Sequence, residues 1–176
     1  MSPEQWIHGA LLALHNIALV GCAAAPFYNR NLVLKRAPFG PKLHYELDKV
    51  VEDTLQGNAP FCMAFMSTLI LTGVGFPLTH YAFHGALRQL TTVSYVAMGL
   101  KLTSVAGMVA IMMTIFFKIN PRLRVLFGGF TPGQAPSADA EKEFFQLRAR
   151  RKALCETCLN FAILVLVASA FIGFQA

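Results

Sequence analysis

Three side chains able to bind a metal ion recur every seven residues near the start of the chain: His8, His15 and Cys22. On a helix that spacing returns each to one face, with the two imidazoles about 10 Å apart along the axis at 1.5 Å per residue. A neutral imidazole is a good axial ligand for haem iron, and helical cores hold such cofactors between facing helices. The same imidazole inside an apolar segment can instead hydrogen-bond a neighbouring helix. A second pair, His80 and His84, stands at i, i+4. If helical, it could take a metal ion or offer one ring to a haem, although no third ligand falls at the spacing a zinc site wants.

Two further features carry chemistry. Lys101 lies inside an apolar run, about ten residues from its nearer end. It can pair with an anionic group such as a haem propionate or a partner's carboxylate, or snorkel to the interface. Cys155-Glu-Thr-Cys158 is a lone CxxC with Leu159 where a c-type haem site would have His. A single pair is a weak zinc signal, and two thiols one turn apart on a reducing side read as free cysteines. Cys22 and Cys62, inside apolar runs, read as packing residues.

The elements that hold these groups are apolar and long. Runs at Trp6–Phe27, Phe61–Leu78, Thr92–Phe117 and Leu154–Phe174 are each near the ~20 residues that cross a ~30 Å hydrocarbon core. In lipid such runs are helical. The predicted fold is all-α, one transmembrane domain over 1–176: an integral membrane four-helix bundle with short amphipathic cytoplasmic helices. Composition agrees. Of 176 residues, 55% are hydrophobic and 14% charged, and the mean hydropathy is +0.51, outside the range of ordinary soluble domains. The net charge of +6 does not point to nucleic acid, because the basic residues cluster beside the spans.

Loop charge sets the predicted orientation. The first connection holds Arg30, Lys35, Arg36 and Lys42; the third holds eight basic residues between Lys118 and Lys152; the second holds only Arg88. Basic loops stay cytoplasmic, which puts both chain ends and the Pro77–Thr91 loop outside, in a bacterial inner membrane. The sequence Met-Ser-Pro-Glu-Gln-Trp has no basic n-region, so the first helix reads as retained. Lys42–Gln56 has helical apolar spacing with Glu46, Asp48, Lys49, Glu52 and Asp53 mostly on the other face. It is either an interfacial helix or an extension of the second span, with Gly57 and Pro60 marking a joint. Ala138–Leu154, ending in Arg148-Ala-Arg-Arg-Lys152, reads as a basic helix lying on anionic headgroups, and Phe127–Pro136 as an irregular loop. Gly9/Ala13, Gly21/Ala25 and Gly99/Gly107 offer small faces for close helix contact.

The run His15-Asn-Ile-Ala-Leu-Val-Gly-Cys-Ala-Ala-Ala-Pro-Phe-Tyr-Asn-Arg30, the segment Leu47-Asp-Lys-Val-Val and the Gly-Leu-Lys101-Leu of the third span resemble the HemJ-type protoporphyrinogen oxidases and the related CopD-type membrane proteins. The resemblance covers about the first 120 residues. It implies that His15 is a haem b ligand and that Arg30 and Lys101 are functional charges. Ala97, Met98 and Gly99 stand where HemJ-type proteins carry Trp-X-His, so the expectation is haem binding rather than porphyrinogen oxidation. The leading expectation is a cytochrome b-like subunit of an electron-transfer assembly, with His15 as one axial ligand and His8, His80, His84 or a partner as the other. The alternative is a cofactor-free accessory subunit in contact with lipid and with other membrane subunits or its own copies.

Overall fold

The structure, a computed structural model, describes residues 2–40, 42–87, 89–134 and 136–172. It is helical, with no strand among the described residues. Arg88 and the end of the fourth apolar run, Gly173 and Phe174, lie outside them.

Helix α1 runs Pro3–Arg36, well past the apolar run that ends at Phe27. Its start is fixed by a capping box: Ser2 Oγ accepts from Gln5 N–H, and Gln5 Oε1 accepts from Ser2 N–H, with Pro3 supplying the helical φ at the first turn. Helix α2 runs Tyr45–His84. The Lys42–Gln56 segment is therefore an extension of the second apolar run, and neither Gly57–Pro60 nor Pro77 breaks it. Each proline costs one backbone hydrogen bond, which a 40-residue helix packed along its length on α1 absorbs. α2 ends where Gly85 takes φ +68, the left-handed cap that glycine accepts without strain.

Helix α3, Thr92–Thr114, is capped by Thr91 and passes through a π-helical turn, Ile115–Ile119, into α4, Asn120–Gly128. Helix α5 is Ala138–Ile172. The basic segment expected to lie flat on headgroups is thus the first half of one continuous rod. Taking α3 and α4 as one rod, four helices are long and apolar enough to cross a membrane. α1 packs on α2, α3 on α5 and α1 on α5, while α2 and α3 barely meet.

The interior has two apolar clusters. One joins all four rods around Ala18, Met66, Met108 and Val165. The other joins Ile119, Leu123, Phe130 and Phe144. Phe127 and Phe130 both pack on Phe144, at 5.7 and 5.5 Å between ring centroids, and Tyr45 stacks on Phe127 at 5.4 Å. The start of the Gly/Pro-rich stretch is therefore pinned by its aromatic rings. Of the small-residue faces, two are real close contacts. A Cβ at Gly21 would meet the Phe65 ring at 2.5 Å and one at Gly107 the Phe161 ring at 2.8 Å, whereas Gly9 and Gly99 face open space.

Candidate functional site

The seven-residue spacing that begins at His8 does not stop at Cys22. It continues through Asn29 to Arg36, so α1 turns a polar seam of His8, His15, Cys22, Asn29 and Arg36 along its whole length. Each position meets something different.

His15 is buried, and its Nδ1 lies 2.8 Å from Thr72 Oγ1 on α2. Thr72 has one hydroxyl proton, which it donates to Thr68 C=O at 2.7 Å. In that arrangement its oxygen accepts from His15 Nδ1–H, and Nε2 is the free-base nitrogen, with no hydrogen-bond partner among the described residues. The Phe76 ring packs edge-on against His15 at 5.5 Å and also contacts His8 at 5.1 Å, so it sits against both imidazoles of the face. Lys101, half-buried on α3, is within electrostatic range of His15.

The other candidate residues are elsewhere. His80 and His84 stack on each other at 4.5 Å, but His80 Nδ1 donates to Ala86 C=O at 2.9 Å and His84 Nε2 contacts Glu4 Oε1 at 2.9 Å. Both rings are engaged at the N-terminal end of α1. Arg30 lies about 22 Å from His15 along α1 and reaches toward Glu156 at 4.0 Å, so the structure does not bring these two together. Among the described residues no three His, Cys, Asp or Glu side chains are placed to hold a metal ion.

Beyond the seam's midpoint is a cavity of about 70 Å³ lined by all four rods and partly open to the surface. It begins at Cys22 and does not include His15. Its far end is a buried charge cluster that reading the sequence by faces misses. Asp48 and Glu52 were expected on a polar outer face. They are instead fully buried. Arg36 donates to both oxygens of Asp48 at 2.7 and 3.0 Å, and Arg148 also donates to Asp48. Arg151 grips Glu52 through Nη1 and Nη2 at 2.9 and 2.6 Å and donates to Asn120 Oδ1 at 3.3 Å. Arg148 closes the cluster on Glu52 at 3.2 Å and lies over the Phe144 ring at 5.3 Å. This corrects the headgroup reading of Arg148 and Arg151: their charges point inward. The signal was available as opposite charges at helical spacing, Asp48/Glu52 and Arg148/Arg151, on segments that can face each other. Burial alone would raise the Asp48 carboxyl. Hydrogen bonds from Arg36, His44 N–H and Arg148 outweigh that and hold it below the usual carboxylate range.

Fold and site together define a class: an all-helical protein with four helices long and apolar enough to cross a membrane, a polar seam through its interior and a locked charge cluster at one end. No family model, curated protein or solved structure matches the chain. The HemJ/CopD-type resemblance therefore stands on its motif residues alone.

Proposed function

We propose that the chain is an integral membrane four-helix bundle of a bacterial inner membrane, with its basic connections cytoplasmic and both ends outside. We further propose that it is a haem b-binding, cytochrome b-like subunit in which His15 is an axial ligand. The observation that carries this is the 2.8 Å hydrogen bond between buried His15 Nδ1 and Thr72 Oγ1. Metal-bound histidine characteristically donates its other ring N–H to a fixed acceptor, which orients the ring and raises its basicity. Thr72 is that acceptor. Once bound, haem would supply one-electron chemistry. This chain's part is to present Nε2, hold the ring through Thr72 and pack it against Phe76. Lys101 offers a cation to a propionate. His80 and His84 lie about 12 and 18 Å beyond Thr72 along α2, and the cavity does not include His15. The second ligand and the far wall of the macrocycle are therefore assigned to a partner subunit.

An absorption spectrum of the protein purified with its partners, from cells supplied with haem, tests this directly. A Soret band with reduced α-band features is expected. His15→Ala should remove the haem or convert it to a weakly held high-spin form, while His44→Ala, whose ring contacts only the connection after α1, leaves the spectrum unchanged.

A second reading, a cofactor-free accessory subunit, is favoured by the charge cluster and the tight Gly21 and Gly107 contacts, which hold the helices together with no group between them. A wild-type preparation without haem leaves that reading in place.

A further inference from the structure

The cavity beyond the seam's midpoint is sorted along the bundle axis. Its end nearer mid-bundle is walled by Cys22, Cys62, Met66, Met108, Met112 and Cys158, apolar side chains from all four rods. Its other end is lined by Asn29 and Arg30 of α1, Asn120 of α4 and Arg151 and Lys152 of α5. Cys155, the last of the chain's four cysteines, lies between. On α1 the lining runs from Cys22 to Val33, a rise of about 16 Å. That is close to the ~15 Å depth of one hydrocarbon leaflet, half of a ~30 Å core. The π-helical turn Ile115–Ile119 is part of the wall: it supplies Ile115 and delivers Asn120 to the basic end. Such turns recur at functional sites.

Charge is not balanced at that end. Arg151 belongs to the buried cluster, in which Arg36, Arg148 and Arg151 share Asp48 and Glu52. Arg30 and Lys152 share one further carboxylate, the half-exposed Glu156, at 4.0 and 3.9 Å. Five cations thus meet three carboxylates, and two positive charges are left over. The contacts to Glu156 are too long for hydrogen bonds, and neither Arg30 nor Lys152 has an acceptor among the described residues. Their donors are open to a ligand.

We propose that this cavity holds one acyl chain of an anionic phospholipid from the surrounding bilayer, with the lipid phosphate against Arg30 and Lys152. The apolar end takes the chain, and the opening to the surface lets the second chain stay in the bilayer. Basic sites between membrane helices take anionic headgroups in this way. A zwitterionic headgroup brings its own cation and gains less from two uncompensated charges. A soluble anion leaves the apolar end unfilled. The proposal rests on the membrane reading and not on haem at His15.

The test begins with the full chain in its native membrane, which should resist extraction by carbonate. Extraction would overturn the membrane reading and this proposal with it; every other outcome bears on the cavity alone. In a non-ionic detergent, phosphatidylglycerol added to delipidated protein should be retained as a single lipid per chain in native mass spectrometry. Phosphatidylcholine with the same chains should not be. Phosphatidylglycerol should also protect Cys62 and Cys155, the two partly exposed cysteines of the wall, from maleimide. Glycerol phosphate, which has no chain, and laurate, which has no phosphate, should not. Arg30→Gln and Lys152→Gln should each weaken retention about fivefold, whereas Lys35→Gln, at an exposed lysine outside the cavity, should leave it unchanged. Glu156→Gln removes the competing carboxylate and should strengthen retention, a change of sign that loss of folding cannot produce. Equal retention of phosphatidylcholine, protection by laurate or glycerol phosphate as full as by phosphatidylglycerol, or a Glu156→Gln protein that holds the lipid no more tightly than wild type would each overturn the proposal.

Discussion

At the residue scale, one hydrogen bond decides what His15 can do. Thr72 is buried and already gives its proton to the backbone, so it acts on His15 only as an acceptor. Thr72→Val keeps the shape and deletes that acceptor, leaving a buried imidazole N–H unsatisfied. The expected cost is about 1–3 kcal/mol, read as a lower midpoint of thermal unfolding in detergent, with Thr72→Ser close to wild type. If His15 carries haem, Thr72→Val should also retain less of it, since the ring is no longer held in one tautomer. The histidine face was legible from spacing alone, because seven residues is nearly two turns. Its extension to Asn29 and Arg36 was equally present in the spacing. Those two lie outside the apolar run, however, where polar residues look like ordinary solvated helix. The gathering of the four cysteines was not legible, since it depends on which faces of α2 and α5 meet α1.

At the scale of elements, the charged end is where the rods are locked in register. Asp48 touches Arg36 of α1 and Arg148 of α5, so one carboxylate ties three helices. A buried ion pair gains little over a well-packed apolar pair, but removing one partner strands the others. Asp48→Asn should therefore cost about 3–5 kcal/mol by leaving the buried Arg36 without its anion and Arg148 with Glu52 alone. Glu143→Gln removes an ion pair with Arg122 that is exposed on both sides and should leave the melting temperature where it was. The acid limb separates the two further. Because the folded-state value of Asp48 lies below its unfolded value of about 3.9, its contribution is complete above that value and disappears as pH falls through the folded one. Wild-type melting temperature should drop over that acid window, and the drop should be shallower in Asp48→Asn. The sequence marked α1, α2, α3 and α5 as helical but not α4, ended α1 early, left open whether Lys42–Gln56 extends α2 and laid the first half of α5 on headgroups. An apolar run marks where lipid-compatible residues stop, not where the helix does. Here buried ion pairs, together with the apolar cluster around Phe144, carry the rods beyond that point.

At the scale of the whole molecule, the packing order is α2–α1–α5–α3, with α2 and α3 on the flanks. Both flanks are covered in large exposed apolar side chains, Leu71 and Val74 on one and Val96 and Leu102 on the other. Soluble monomers rarely expose contiguous apolar patches beyond a few hundred Å²; a lipid or partner surface explains these rods along their length. Direction across the membrane is a separate matter, because length and composition are the same in either sense. It rests on the asymmetry of Lys and Arg between connections. The charge cluster alters that count: Arg36, Arg148 and Arg151 are paired internally with Asp48 and Glu52, which offset two of their three charges. What remains on that end is still basic, with Lys35, Lys42, Arg124, Lys142 and Arg150 all exposed and absent from the ion pairs among the described residues, so the proposed orientation does not depend on the buried arginines. An epitope inserted at Thr131, in the exposed turn after α4, should be reached by antibody only in opened spheroplasts. The same epitope at Leu87, in the turn after α2, should be reached in intact ones. Removing the exposed charges alone, with Lys35, Lys42, Arg124, Lys142 and Arg150 changed to Gln, should weaken or invert that pattern even though the buried Asp48 cluster is left intact. Antibody access to Thr131 in intact spheroplasts would place the charged end outside and overturn the assignment.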